Sequence, residues 1–333
     1  MIQGILLAIV AGLMLGLYAL PEKFTKDFEF ENTWGLFFAI NTFVIPNIAA
    51  FLLIDGFSEV LLSLPNEVLW GMIVSSFLWG IGVMMWGKAI NHIGLSLGFS
   101  IFIGTVILVG SLLPFIESGL PAQTILVTIL AGLLVVLLGI MANGKAGILR
   151  EQDEANDTDG KKGMLTGITI AVVGGLLATG FSYANAVGAK VISEAVVAQG
   201  NAQWLSSVAI MYIIYMAGGV AIALYFSQQL TAKKLWKKFK TPHFSKNLGL
   251  CTVMGILNFF ASVGFAYAAF KLGEQGNTVG YAIFNTVCVV TAIVTGLITK
   301  EWVKASSKAK NYLYSGLAAM VVGVIVLAVA NSL

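Results

Sequence analysis

Residues 77 to 116 read FLWGIGVMMWGKAINHIGLSLGFSIFIGTVILVGSLLPFI. Two apolar arms, each of the roughly 20 residues that a helix needs to cross a bilayer, meet at the short polar elbow Lys88-Ala89-Ile90-Asn91-His92-Ile93-Gly94. The stretch predicts a tight transmembrane hairpin. It carries Gly80, Gly82, Gly87, Gly94, Gly98, Gly104 and Gly110, a density that weakens a helix in water but lets helix backbones approach closely in lipid. Gly82 and Gly104 are expected to form sliding contacts that matter more to movement than to folding. Trp79 and Trp86, seven residues apart, are expected to share one face.

Composition extends this reading to the whole chain. With 58% apolar and 11% charged residues among 333 and a mean hydropathy of +0.90, the chain belongs in a membrane rather than in water. A β-barrel is excluded, because the apolar runs of about twenty residues lack the alternation of lipid-facing and lumen-facing positions. Ten spans are predicted, at 3 to 21, 34 to 54, 68 to 90, 94 to 116, 122 to 142, 164 to 186, 205 to 227, 247 to 270, 276 to 298 and 310 to 331. The first has no basic residue before it and is expected to remain as helix 1 rather than be cleaved. Of the 19 Lys and Arg, 17 fall in loops after odd-numbered spans and 2 in loops after even-numbered ones. By the positive-inside rule the odd loops are cytoplasmic and both termini lie outside.

Two loops are long and polar. Residues 143 to 163 mix acids and bases without apolar periodicity and are expected to form a flexible cytoplasmic linker. The loop at 228 to 246 holds Lys233, Lys234, Lys237, Lys238, Lys240 and Lys246 among Leu235, Trp236 and Phe239, and is read as a determinant of topology. On either side of the linker the chain repeats itself. The segment starting at Gly4 matches that starting at Gly167, aligning Ala8 with Ala171 and Gly12 with Gly175; the elbow His92-Ile93-Gly94 matches Lys271-Leu272-Gly273, which pairs Trp79 with Asn258. The expected fold is therefore an all-α polytopic membrane protein of ten transmembrane helices, built as two five-helix repeats at 1–142 and 164–333. An odd number of spans per half inverts one repeat relative to the other, the architecture of secondary transporters with a substrate near the midplane.

Several stretches resemble a known family. They are Tyr18-Ala19-Leu20-Pro21, Glu31-Asn32-Thr33-Trp34, Trp79-Gly80-Ile81-Gly82, Gly94-Leu95-Ser96-Leu97-Gly98 leading to Ile103-Gly104-Thr105, Gly180-Phe181-Ser182-Tyr183-Ala184-Asn185, and Gly296-Leu297-Ile298-Thr299-Lys300-Glu301-Trp302. In order and spacing they resemble the L-rhamnose/proton symporter family within the drug/metabolite transporter superfamily, over nearly the whole chain. The resemblance implies uptake of a deoxy-hexose with protons across a bacterial inner membrane.

The residue inventory suits a neutral sugar, whose hydroxyls want amide and hydroxyl partners and whose C–H faces lie against aromatic rings. Near mid-span stand Asn41, Trp79, Thr105, Tyr212, Tyr215, Asn258, Tyr281, Asn285 and Thr286, with Ser182 and Asn185 nearer one end of span 6. Trp79 and Asn258, as repeat mates, are the first candidates, followed by Asn41, Thr105, Tyr281, Asn285, Ser182 and Asn185. No Asp or Glu falls in the middle of a predicted span. Glu274, followed by Gln275 and Asn277 at the mouth of span 9, is the first candidate for handling a coupling proton, and His92 the second. Sodium held by carbonyl and amide oxygens is an alternative.

Neither cysteine, Cys251 or Cys288, belongs to a disulfide or metal motif. There is no HExxH or Walker loop, so no enzymatic activity, metal or cofactor is expected. An exporter or exchanger of amino acids or drugs, and a sugar sensor, are the other readings. The expected partners are a monosaccharide and the lipid bilayer, with no nucleic acid, and a monomer is the simplest assembly.

Overall fold

Apolar side chains outnumber the polar ones that would solvate a backbone, so the peptide groups must bond within each segment, and in lipid the helix does this. The computed structural model describes residues 2–154 and 164–333; it is 87% helix, with no strand among the described residues. Among the described residues eight helical stretches, where ten spans were expected, are long and apolar enough to cross a membrane. In chain order the helices are α1 (Ile2–Leu17), α2 (Phe30–Ala39), α3 (Ile45–Leu53), α4 (Phe57–Ser63), α5 (Asn66–Ile93), α6 (Leu95–Leu112), α7 (Phe115–Ser118), α8 (Gln123–Glu154), α9 (Met164–Ala178), α10 (Gly180–Ala198), α11 (Leu205–Ala232), α12 (Phe244–Leu272), α13 (Tyr281–Ile298) and α14 (Ser307–Ala330). Their outer faces expose Leu6, Val10, Leu52, Leu134, Leu165, Leu224 and Ile325, a girdle that would aggregate in water and suits acyl chains.

The hairpin read from residues 77 to 116 is α5 and α6. It turns on Gly94 alone, at φ +80°, whose amide bonds the Ile90 carbonyl at 2.9 Å; a side chain there would meet the left-handed penalty. The segment expected as a linker differs from that reading. α8 runs on to Glu154, because its charges find partners: the Arg150 guanidinium lies 4.8 Å from the Trp302 ring, Glu151 accepts from the Ser96 hydroxyl at 2.8 Å, and Asp153 accepts from the Ser306 amide at 2.9 Å. The remainder of the expected linker, 155 to 163, lies outside the described residues.

Two rods are interrupted within the membrane. Between α2 and α3 the chain forms a π-helical turn, Ile40–Val44, just before Pro46. Proline offers no N–H to the carbonyl four residues earlier and its ring crowds that carbonyl, and the wider turn absorbs both effects. Between α9 and α10 the rod breaks at Thr179, and Gly180 presses on the Ser75 carbonyl of α5 so closely that a Cβ would collide with it.

Helix packing crosses the middle of the chain. α1 lies against α12 and α13, α9 against α5 and α6, α11 against α5, and α8 against α14. Glycines set these contacts. A Cβ on Gly12 would meet Val287 and the Phe284 carbonyl at 2.7 Å, and one on Gly175 would meet Thr105 at 2.7 Å and the Phe102 carbonyl at 3.0 Å. Gly82 likewise touches the Gly174 carbonyl of α9, at 2.5 Å from a would-be Cβ. Gly104 departs from the expected sliding contact: its nearest neighbour would be Leu137 at 3.6 Å, beside an apolar groove of ≈ 560 Å³ between α6 and α8.

Candidate functional site

The π turn presents Asn41 to α12, and its buried amide must find partners or cost several kcal/mol. Asn41 Nδ2 donates to Asn258 Oδ1 at 2.9 Å, and the Tyr215 hydroxyl donates to the same oxygen at 2.8 Å. Ser262, one helical turn beyond Asn258, shares a 2.7 Å hydrogen bond with the Tyr215 hydroxyl. Two polar atoms are left over. Asn41 Oδ1 is buried without a partner, and the half-buried Asn258 takes both protein donors on its oxygen, with no partner for its Nδ2 among the described residues. One free acceptor and one free donor are what a hydroxyl, which both donates and accepts, can satisfy.

An aromatic wall flanks this pair. The Trp79 ring stands 5.5 Å from Tyr215 and 5.4 Å from Phe181, centroid to centroid. Phe181 continues to Phe265 at 6.0 Å and Tyr281 at 6.4 Å. Trp79 reaches this place because Gly218 of α11 has no side chain; the indole occupies the space a Cβ would need.

A second polar group lies beyond the wall. Asn185 Nδ2 donates to Asn277 Oδ1 at 2.7 Å, while Asn185 Oδ1 is buried without a partner. Asn277 sits on another π-helical turn, Gly276–Gly280. Both asparagines border a cleft of ≈ 390 Å³ that includes Lys190, Ser193, Glu194, Gln203, Ala266 and Ala269, a size within the usual range of small-molecule pockets. Gln275 Oε1 is also buried without a partner.

Other residues singled out from the sequence are engaged elsewhere. The Thr105 hydroxyl donates to its own helix at Ile101, Asn285 Nδ2 to Tyr281, and Thr286 to Ala282. Ser182 donates to the Gly110 carbonyl at 2.6 Å, joining α10 to α6. Tyr212 packs on Phe57, 4.8 Å away. Glu274 is exposed in a one-turn helix, Gly273–Gln275, and His92 is exposed at the end of α5. The two lie at opposite ends of the bundle: His92 meets Gly167 at the start of α9, whereas Asn277 pairs with Asn185 beyond the break that ends α9.

At the end rich in lysine the chain closes on itself. Lys233 pairs with Glu31, Lys238 with Glu29 at 2.5 Å, and Lys23 with Glu301; Asn247 Nδ2 donates to the Lys26 carbonyl at 2.8 Å. The loop read as a topology determinant thus meets an acidic segment, Asp27 to Glu31. The hydrogen bond from Lys23 holds the Glu301 carboxyl below its usual range, and that to Glu31 holds the Lys233 ammonium above its own. Beneath these pairs Trp34 Nε1 donates to Glu22 at 2.6 Å, and the Trp34 ring packs on Tyr18 and Phe37 at 6.0 and 5.4 Å. The sequence reading overlooked this pair and Ser262; for Ser262 the signal is its place four residues after Asn258, on the same face of α12.

The family model described as L-rhamnose-proton symport protein (RhaT) matches residues 1–333. Similar proteins include those named L-rhamnose-proton symporter in Yersinia pestis (strain Pestoides F) and in Yersinia pseudotuberculosis serotype O:3 (strain YPIII), each 26% identical over 324 residues that cover 92% of this chain and 91% of theirs. The symporter of Yersinia pestis bv. Antiqua (strain Antiqua) is 27% identical over 327 residues.

Proposed function

The chain belongs to the L-rhamnose-proton symport protein family, and on that premise we propose that it is a secondary active transporter that imports L-rhamnose, or a related deoxy-sugar, together with protons. The observation that carries the site is that Asn41, bonded to Asn258 through its Nδ2, keeps a buried Oδ1 without a partner, and that the Tyr215 bonded to the same Asn258 stands 5.5 Å from the Trp79 ring. The ring covers a C–H face and the amides bind hydroxyls. Asn185 and Asn277 then form a polar vestibule through which the sugar arrives.

The mechanism proposed is alternating access between two inverted five-helix halves, the layout of the drug/metabolite transporter superfamily. Helix pairing supports it: α1 against α12 and α13 is mirrored by α9 against α5 and α6, with Gly12 and Gly175 at matching contacts. With the lysine-rich end in the cytoplasm of a bacterial cell and both termini outside, the ion pairs close the inner end and the vestibule opens outward.

The test is uptake of radiolabelled L-rhamnose into proteoliposomes under an inward proton gradient, with and without sodium. Accumulation that collapses with a protonophore is the expected result. Sodium-dependent accumulation overturns the proton assignment, and uptake of a different sugar alone overturns the substrate.

A further inference from the structure

A symporter needs a group that gains a proton from one side and loses it to the other. Glu274 and His92 lie exposed at helix ends. Glu22 is placed differently. It ends the first membrane stretch, is half-buried, and accepts from the buried Trp34 indole at 2.6 Å with no cation paired to it among the described residues. The neighbouring Lys23 is committed to Glu301. The titratable groups facing Glu22 are Tyr18 and Lys23 from its own segment and Cys251 from α12.

The position connects the inner gate to the sugar site. Tyr18 lies within electrostatic range of both Glu22 and Tyr215, and Tyr215 is the donor that orients Asn258. Trp34, Phe37 and Asn41 follow one another along one face of the same rod. The two stretches Tyr18-Ala19-Leu20-Pro21 and Glu31-Asn32-Thr33-Trp34, quoted above for their resemblance, are thereby brought together, with Glu22 immediately after the first.

We propose that Glu22 carries the coupling proton and that its protonation releases Trp34, unlocking the inner end once sugar is bound. This rests on the symport reading above. As a carboxylate, Glu22 accepts a charge-assisted hydrogen bond, roughly twice as strong as a neutral one, and holds the indole across the gate. A proton arriving from the outward side forms an O–H bond on the carboxylate, removes the charge and weakens the indole bond. When the gate opens, the acid faces the cytoplasm, that O–H bond breaks to water, and the restored carboxylate recaptures Trp34.

The test uses the full-length protein and two variants. One proton per sugar and a gradient of about one pH unit drive about tenfold accumulation. Glu22→Gln is expected to abolish that accumulation while still exchanging labelled for unlabelled L-rhamnose, at a rate independent of pH. Trp34→Phe keeps the carboxyl without the donor, so its proton-driven uptake is expected to extend to higher pH. Accumulation by Glu22→Gln at the level of the unaltered protein, or loss of exchange together with accumulation, overturns the assignment. A readout that needs no sugar separates it from the substrate reading: the pH titration of Trp34 fluorescence, taken as the difference between the unaltered protein and Trp34→Phe, should vanish in the Glu22→Gln background. A titration that persists there refutes the proposal whatever is transported.

Discussion

Asn258→Ala removes the group on which the proposed sugar site turns. Its oxygen accepts from Asn41 at 2.9 Å and from Tyr215 at 2.8 Å, and its Nδ2 is the free donor. Losing one good contact to a sugar hydroxyl costs about 1 to 3 kcal/mol, which raises Kd roughly five- to 150-fold. Two interhelical hydrogen bonds are lost as well, although Tyr215 keeps Ser262; at the modest worth of such bonds in membranes the stability cost is about 1 to 2 kcal/mol. Tyr215→Phe is the control, since it removes one of the two bonds and leaves Asn258 Nδ2 in place. Titration calorimetry with L-rhamnose on detergent-solubilised protein, beside thermal unfolding, separates the two effects. Asn258→Ala should lose both affinity and stability, and Tyr215→Phe mainly stability. Affinity within twofold of the unaltered protein in Asn258→Ala would refute the site.

Further perturbations discriminate between neighbouring parts of the fold. Trp79→Ala should weaken L-rhamnose binding beyond the loss of area, by about 0.5 to 1.5 kcal/mol for the ring stacking alone, measured by the same calorimetry. Gly82→Ala places a Cβ 2.5 Å from the Gly174 carbonyl and should lower Tm and the yield of monodisperse protein, whereas Gly104→Ala, with 3.6 Å to Leu137, should do neither. The pair Lys23–Glu301 stabilises the lysine-rich end while Glu301 is ionised. Because its folded value is depressed, that contribution is present above the ordinary Glu value of about 4.3 and is lost as pH falls through the lower folded value. The Tm difference between the unaltered protein and Glu301→Gln should hold constant at neutral pH and shrink only in strong acid; with both side chains largely exposed the difference will be small.

The membrane helices were legible in the sequence because hydrophobic length is a strong signal in a solvent that tolerates no unbonded backbone. The turn at Gly94 was legible for a similar reason, as one glycine closing a polar elbow. The extension of α8 to Glu154 was not, since a charged segment reads as solvated until Trp302, Ser96 and Ser306 are known to lie beside it. The candidate site shows the same divide. Asn41 and Asn258 meet across the bundle, while Thr105, Asn285 and Thr286, equally mid-span and polar, bond their own helices. Nothing in residue type distinguishes the two outcomes; which face a residue takes does, and helices buried on many sides leave that pattern weak. Glu22 reads from the sequence as one more acid at a helix end, because its partner Trp34 belongs to the next helix.

The packing of α1 on the distant α12 bears on how the protein is made. α1 leaves the ribosome well before its packing partner α12, which begins about 230 residues later, a delay on the order of tens of seconds at ordinary rates of synthesis. Until then the small-residue face of α1, with Gly4, Ala8, Ala11 and Gly12, waits in lipid without its mate. α9, by contrast, is born after α5 and docks at once. The contacts of α9 are therefore made on helices already inserted, while those of α1 wait for α12, so a chain stopped before α12 presents the insertion machinery and its proteases with an unfinished bundle.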